Sequence, residues 1–338
     1  MLTKGKQKGM NSVSDERGVI RAAAMDHRGS LKRALAQEKN VAPETISDEI
    51  LAEFKTAVIN ILSPYASGVL LDPDSGLSAA KARHEGVGLL LAYEKSGYDN
   101  TQPGRMSQLR PGWTVDRLKQ EGANCIKLLI YYTPFEKSTL NDQKKALVQQ
   151  VGDECFEHDV PFFLEFVGYD PGDSLSPLEY ARKKPDIVTQ SMREFSQDQY
   201  HVDILKVEIP VNLQFTSGTR WCACHEAAYS RDEARKLFLK AAAVARRPFI
   251  YLSAGVSSPQ FQEGLELAVE AGVPFAGVLC GRATWKEGIP VYVQNGLSAF
   301  EDWLFENGVT NIRALNEILA GACPWKNFYK KGIQPNGT

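Results

Sequence analysis

Short apolar runs recur along the chain at regular intervals, and stretches of helical period separate them. Runs at 19–25, 68–71, 88–93, 124–132, 161–167, 203–208, 248–252 and 276–280 are bounded by polar sequence, as buried strands are. Between the first two, Ile50, Leu51, Phe54, Val58, Ile61 and Leu62 fall at helical spacing behind the cap candidate Ser47, which predicts a helix over 47–62. The same reading predicts helices over 113–122, 142–158, 177–197, 230–246 and 259–271, and further helix from 282 to about 320. Residues 1–18 read as a short helix or arm, 210–227 as a loop excursion and 324–338 as a polar tail. Eight strands alternating with helices, with no break in composition, predict one α/β domain over 1–338, a (β/α)8 TIM barrel. The competing arrangement is an open doubly wound sheet. It calls for a glycine-rich dinucleotide fingerprint after the first strand, and Asp26-His27-Arg28-Gly29-Ser30 is not one.

Three strands carry a charge where packing gives no reason for one: Lys127, Glu165 and Lys206. Taking such a group out of water is costly or shifts its protonation. One lysine is explained by snorkelling or by pairing with Glu208, but three charges inside three apolar strands point to a site. Catalytic groups of a barrel sit at the C-terminal ends of its strands. Asp26 ends the first strand there, and Lys127, Glu165 and Lys206 lie late in the fourth, fifth and sixth. Adjacent strands run about 5 Å apart, so these groups converge on one mouth. Two neighbouring lysines lower each other's pKa, and an apolar wall lowers both. A neutral lysine attacks a carbonyl carbon to form a Schiff base, an electron sink for breaking a C–C bond. Glu165, next to Phe163, Phe166 and Val167, is expected to have a raised pKa and to carry the protons.

A second constellation lies after the last two strands, where Ser253, Gly255, Gly281 and Arg282 fall. These loops of a barrel often bind phosphate through backbone N–H groups, and arginine adds a planar fork. The competing reading of Arg282 is a surface ion pair. Arg28 either grips a second anion or braces the barrel through Asp26; His27 is a possible partner of the same anion, and Arg105 is next in line. Cys222-Ala223-Cys224-His225-Glu226 lacks metal-ligand spacing and reads as loop packing. His84, His158 and His201 read as surface or helix-end residues.

Composition narrows the partners. Lysine and arginine number 39 against 41 acidic residues, a net charge of −2, with no basic block; neither nucleic acid nor an anionic membrane is implied. The apolar runs are too short to span a bilayer, and the polar start lacks the apolar segment of a signal peptide. Six cysteines spread over the chain suggest reduced thiols and a cytoplasmic setting. No metal or other cofactor is expected, and a homodimer is.

The strings around these residues resemble a known family. They are Met25 to Lys32, Leu91 to Asp99, Phe162 to Glu165, Leu205 to Val211, Tyr251 to Ser257 and Gly277 to Trp285. All look like the class I tagatose 1,6-bisphosphate aldolases, and the likeness runs from about 15 to 326. It implies a TIM barrel that splits tagatose 1,6-bisphosphate into glycerone phosphate and glyceraldehyde 3-phosphate without metal. By position, Lys206 matches the Schiff-base lysine and Glu165 the acid/base carboxylate. Asp26 and Lys127 match the polar groups beside them. Ser253, Gly255, Gly281 and Arg282 match the region that holds the glycerone phosphate. His27 stands where the family carries glutamine, Thr133 where it carries aspartate, and Val167-Gly168 where its string is bulkier. Two alternatives follow: an aldolase for a related ketose phosphate, such as a sulfonated fructose 1-phosphate, and a non-catalytic sugar-phosphate sensor on the same barrel.

Overall fold

The computed structural model describes residues 2–98, 101–223 and 225–330. Asp99 of the family-like string, Cys224 of the cysteine-rich loop and 331–338 of the expected tail lie outside the described residues. Eight parallel strands form the centre: β1 Ile20–Ala24, β2 Gly68–Leu71, β3 Gly88–Ala92, β4 Cys125–Tyr131, β5 Phe162–Val167, β6 Ile204–Glu208, β7 Phe249–Leu252 and β8 Gly277–Cys280. Each pairs with the next and β8 pairs with β1, so the sheet closes into a (β/α)8 barrel. The excursion at 210–227 contributes a short 3-10 turn, Leu213–Phe215, and a two-residue strand, Thr216–Ser217, paired with Tyr229–Ser230.

Period-two alternation divides the strand residues between two cores. Ile20, Ala22, Leu70, Leu90, Phe163, Ile204, Ile250 and Leu279 fill the barrel interior. Their neighbours Val69, Leu89, Leu164, Leu205 and Val278 face the helices. In chain order these helices begin with α1 Lys4–Ser12, α2 Gly29–Lys39 and α3 Asp48–Leu62, followed by α4 Leu77–Ala82, α5 Val115–Gln120, α6 Ser138–Glu157, α7 Pro177–Phe195, α8 Arg231–Ala243 and α9 Ser258–Glu270. Ser47 caps α3 as expected, accepting from the Ile50 amide. Ser176 and Ser230 open α7 and α8 with reciprocal capping boxes. The sequence pattern passed over α2 and α4. α2 buries only Leu31, Leu35 and Ala36, and α4 has six residues, too few for a clear period.

The N-terminal end of the barrel is sealed. Met10 and Val13, on and just after α1, join the interior cluster, and Lys6 Nζ reaches Asp203 Oδ2 at 2.7 Å. Trp325 belongs to the same cluster, and the Tyr329 hydroxyl donates to the Asp203 carbonyl at 3.0 Å. Residues 324–330, read as polar tail, therefore close the floor through two aromatic rings. Among the described residues, the opposite, C-terminal mouth of the barrel is the open one. Among the described residues no helix is long and apolar enough to cross a membrane.

Candidate active site

A cavity of about 530 Å³ opens at the C-terminal mouth, lined by residues from the ends of strands around the barrel. Strand register explains the meeting of charges. Glu165 and Lys206 are direct partners across β5 and β6, and partners on parallel strands project to the same face. Lys127 pairs with Phe163, one inward layer lower, so its long side chain rises to the others. Ala92 beside it on β3 and Ala24 on β1 leave the room.

The charges form one chain of contacts. Glu165 Oε2 pairs with Lys206 Nζ at 2.8 Å and with Lys127 Nζ at 2.9 Å. Lys127 Nζ also donates to Asp26 Oδ2 and to Glu94 Oε1, each at 2.7 Å. Lys127 and Lys206 are 1% and 3% exposed, so solvent screens little of this. Burial favours a neutral Lys127, yet Asp26, Glu165 and Glu94 outweigh it and hold the ammonium well above the usual lysine range. The expected lowering fails for Lys127 because three carboxylates, not a second lysine, are its contacts.

The Glu165 expectation needs the same correction. Phe166 faces the helix layer, since adjacent strand residues point opposite ways; only Phe163 and Val167 share its face. Burial pushes Glu165 up, but Lys127 and Lys206 overcome it and the carboxyl lies below its ordinary value. Asp26 behaves alike: burial raises it, and the ammonium groups of Lys127 and Lys206 hold it well below the carboxylate range. Glu208 does not pair with Lys206. It contacts Lys184 at 3.3 Å and accepts from the Gly168 amide at 2.8 Å.

Glu94 was missed, although it is 3% exposed and also accepts from the Leu129 amide at 3.0 Å. A signal existed: it follows Leu90 and Ala92 on the same inward alternation, two residues past the end of β3.

Across the mouth, the turn after β7 takes positive φ at two successive residues, Ala254 (49°) and Gly255 (81°). A Cβ on Gly255 would stand 2.7 Å from the Arg282 guanidinium carbon, so glycine lets the arginine lie over the turn. Lys286 Nζ fixes the turn by donating to the Gly255 carbonyl at 2.7 Å. Arg282 has no ion-pair partner among the described residues, unlike a surface pair. Ser253, Gly281 and Arg282 line the cavity beside it.

Arg28 is brought to the cavity edge but is occupied. It pairs with Asp74 at 3.0 Å and donates to the Glu94 carbonyl at 2.8 Å. It braces the loops after β1, β2 and β3 through Asp74, not Asp26. Arg105 is also engaged, with Asp173 at 2.6 Å and over the Tyr98 and Tyr169 rings. His158 and His201 pair at the surface with Asp116 and Asp153.

This arrangement has close relatives. The DeoC/LacD family aldolase profile matches residues 20–287. The chain belongs to the DeoC/LacD aldolase family. It is 49% identical over 327 residues to tagatose 1,6-diphosphate aldolase 2 of Enterococcus faecalis, covering 96% of each chain. It is 45% identical over 331 residues to a tagatose 1,6-diphosphate aldolase of Listeria monocytogenes, covering 97% of this chain and 96% of that one. A solved fructose-bisphosphate aldolase from Plasmodium falciparum superposes with a TM-score of 0.64 at 12% identity, over 91% of this chain and 93% of that one; this likeness speaks to fold. In this DeoC/LacD aldolase the unusual positions have clear places. Thr133 is buried and its carbonyl accepts from Asn141. A Cβ on Gly168 would meet Ile187 at 2.8 Å, so the backbone there approaches α7. His27 lies inside the cavity lining.

Proposed function

We propose that this chain is a class I aldolase that splits tagatose 1,6-bisphosphate into glycerone phosphate and glyceraldehyde 3-phosphate, with Lys206 as nucleophile. The observation that carries the reading is the contact of Lys206 with Glu165 at 2.8 Å inside a cavity that ends at Arg282. Lys206 touches one carboxylate and Lys127 three, and those three hold Lys127 as a cation, which leaves Lys206 as the nucleophile. Glu165 takes that proton, and the amine adds to the ketose carbonyl. Glu165 returns the proton to the departing hydroxyl, leaving an iminium. A carboxylate, Glu165 or Asp26, accepts the proton of the substrate hydroxyl as the C–C bond breaks into the iminium. The aldehyde leaves, the enamine is protonated, and water releases glycerone phosphate from Lys206. Lys127 stays cationic throughout and keeps Asp26, Glu94 and Glu165 in place.

The two anions of the substrate go to opposite sides. Ser253, Gly255, Gly281 and Arg282 receive the glycerone phosphate. With Arg28 engaged by Asp74, the second anion meets Arg33 and Lys95. Both line the cavity where the loops after β1 and β3 meet, with no carboxylate partner among the described residues. A homodimer belongs to the same reading and is checked by light scattering.

The test is borohydride reduction in the presence of glycerone phosphate, read by peptide mass. The adduct is expected on Lys206 and absent in Lys206→Ala. Trapping on Lys127 would reverse the assignment, and no adduct at all, without turnover of tagatose 1,6-bisphosphate, would favour the sensor reading.

A further inference from the structure

His27 occupies a junction that the cleavage steps leave unused. Its ring meets Trp285 edge-on with centroids 5.3 Å apart. A Cβ on Gly281 would lie 2.7 Å from its Cε1, so the imidazole presses on the backbone that leads into Arg282. Nδ1 stands 3.8 Å from Asp26 Oδ1, too long for a hydrogen bond, and is buried without a partner. Nε2 is the ring nitrogen open to the cavity. Four charged groups from four elements act on the ring. Asp26 just after β1 and Glu165 on β5 favour its protonation, while Arg282 after β8 and Lys206 on β6 oppose it. Burial is the largest influence and opposes it too, so the imidazole is pushed down to about 4. It is therefore neutral near pH 7, beside an arginine with no carboxylate partner among the described residues.

We infer that His27 is a further donor of the glycerone-phosphate anion site, and that it takes one proton from solvent when a phosphate dianion docks against Arg282. This rests on the placement of that phosphate given above. A unit negative charge about 4 Å from the ring, at the effective dielectric of a partly buried site, moves the imidazole up by about three pH units. A dianion brings its midpoint to neutrality or above. The proton goes to the unprotonated ring nitrogen, and the imidazolium then donates to the phosphate without any covalent change. Glutamine at this position donates too, but it brings no charge and no proton uptake.

The experiment uses sn-glycerol 3-phosphate, which carries the phosphate ester but no carbonyl and so forms no Schiff base. With only five histidines in the chain, nitrogen-15 spectra of histidine-labelled protein at pH 7.0 are assignable by comparison with His27→Gln. Saturating ligand is expected to move the His27 ring nitrogens of the natural chain from the neutral to the imidazolium pattern. Calorimetry in two phosphate-free buffers of different ionisation enthalpy is expected to count about one more proton taken up by the natural chain than by His27→Gln. Binding with His27 still neutral, or equal proton counts, would overturn the inference and leave the aldolase reading standing. Failure of glycerol 3-phosphate to bind at all would overturn the anion site and the inference together. Should His27→Gln fold poorly, single replacements of His84, His158, His201 and His225 assign the remaining signal to His27, and its shift in the unsubstituted chain decides the matter.

Discussion

Replacing Lys127 by methionine removes one charge from a cluster that depends on it. Lys127 Nζ holds Asp26, Glu94 and Glu165 at 2.7, 2.7 and 2.9 Å and is 1% exposed. Methionine keeps most of the volume, so the loss is electrostatic. Lys206 still offsets Glu165, and the Leu129 amide still serves Glu94; Asp26 loses its closest cation. The cost at pH 7 is therefore that of one broken buried pair, about 3–5 kcal/mol, not three times that. The pH dependence gives the sharper test. In the natural chain Asp26 and Glu165 sit below their ordinary values. The stability they contribute is present above the unfolded carboxyl pKa and lost as pH falls through the folded one. Without Lys127, burial dominates at Asp26 and its carboxyl rises above its unfolded value, while Lys206 still offsets Glu165. The Asp26 penalty is then full at high pH and is relieved as protonation proceeds on acidification. Urea unfolding of both proteins from pH 8 to pH 5, followed by circular dichroism, should show the gap largest at pH 8 and narrowing towards pH 5. A gap that does not change with pH, or one below about 1 kcal/mol at pH 7, would refute the reasoning.

Glu165→Gln keeps the shape and removes the proton traffic, so kcat should fall by a factor of roughly 100 or more with little change in KM; near-normal turnover would shift the role to Asp26. Arg33→Ala or Lys95→Ala should raise KM for the bisphosphate about tenfold more than for a ketose 1-phosphate, equivalent to about 1.4 kcal/mol of lost contact. Arg28→Ala should affect both substrates alike and lower the melting temperature. If Arg28 alone discriminates between the two, the second anion has been placed wrongly. At the barrel floor, Lys6→Met strands the 4%-exposed Asp203. It should cost about 3–5 kcal/mol in urea unfolding while kcat, measured well below the melting temperature, stays unchanged.

Period and composition were enough for the barrel. Eight apolar runs of strand length, set between amphipathic helices, have few ways to bury both faces, and every predicted strand is present within a residue or two. Lys127, Glu165 and Lys206 were legible for the same reason: a charge in a buried strand is an anomaly that needs no structure to detect. Sequence did not carry partner choice. Lys127 was read as a lysine lowered by a neighbouring lysine, but strand register and side-chain reach surround it with Asp26, Glu94 and Glu165. Contacts at 3 Å between residues that lie tens of positions apart in the chain decide the sign of a pKa shift. Arg28 shows the same limit. It was read as gripping a second anion or pairing with Asp26, whereas loop packing handed it to Asp74 and left Arg33 and Lys95 lining the cavity. The floor is the clearest case. Residues 324–330 were read with the polar stretch to 338, and two rings, Trp325 and Tyr329, pack them beneath the barrel. Local pattern reports which faces must be buried, and only the closed sheet determines which distant groups meet there.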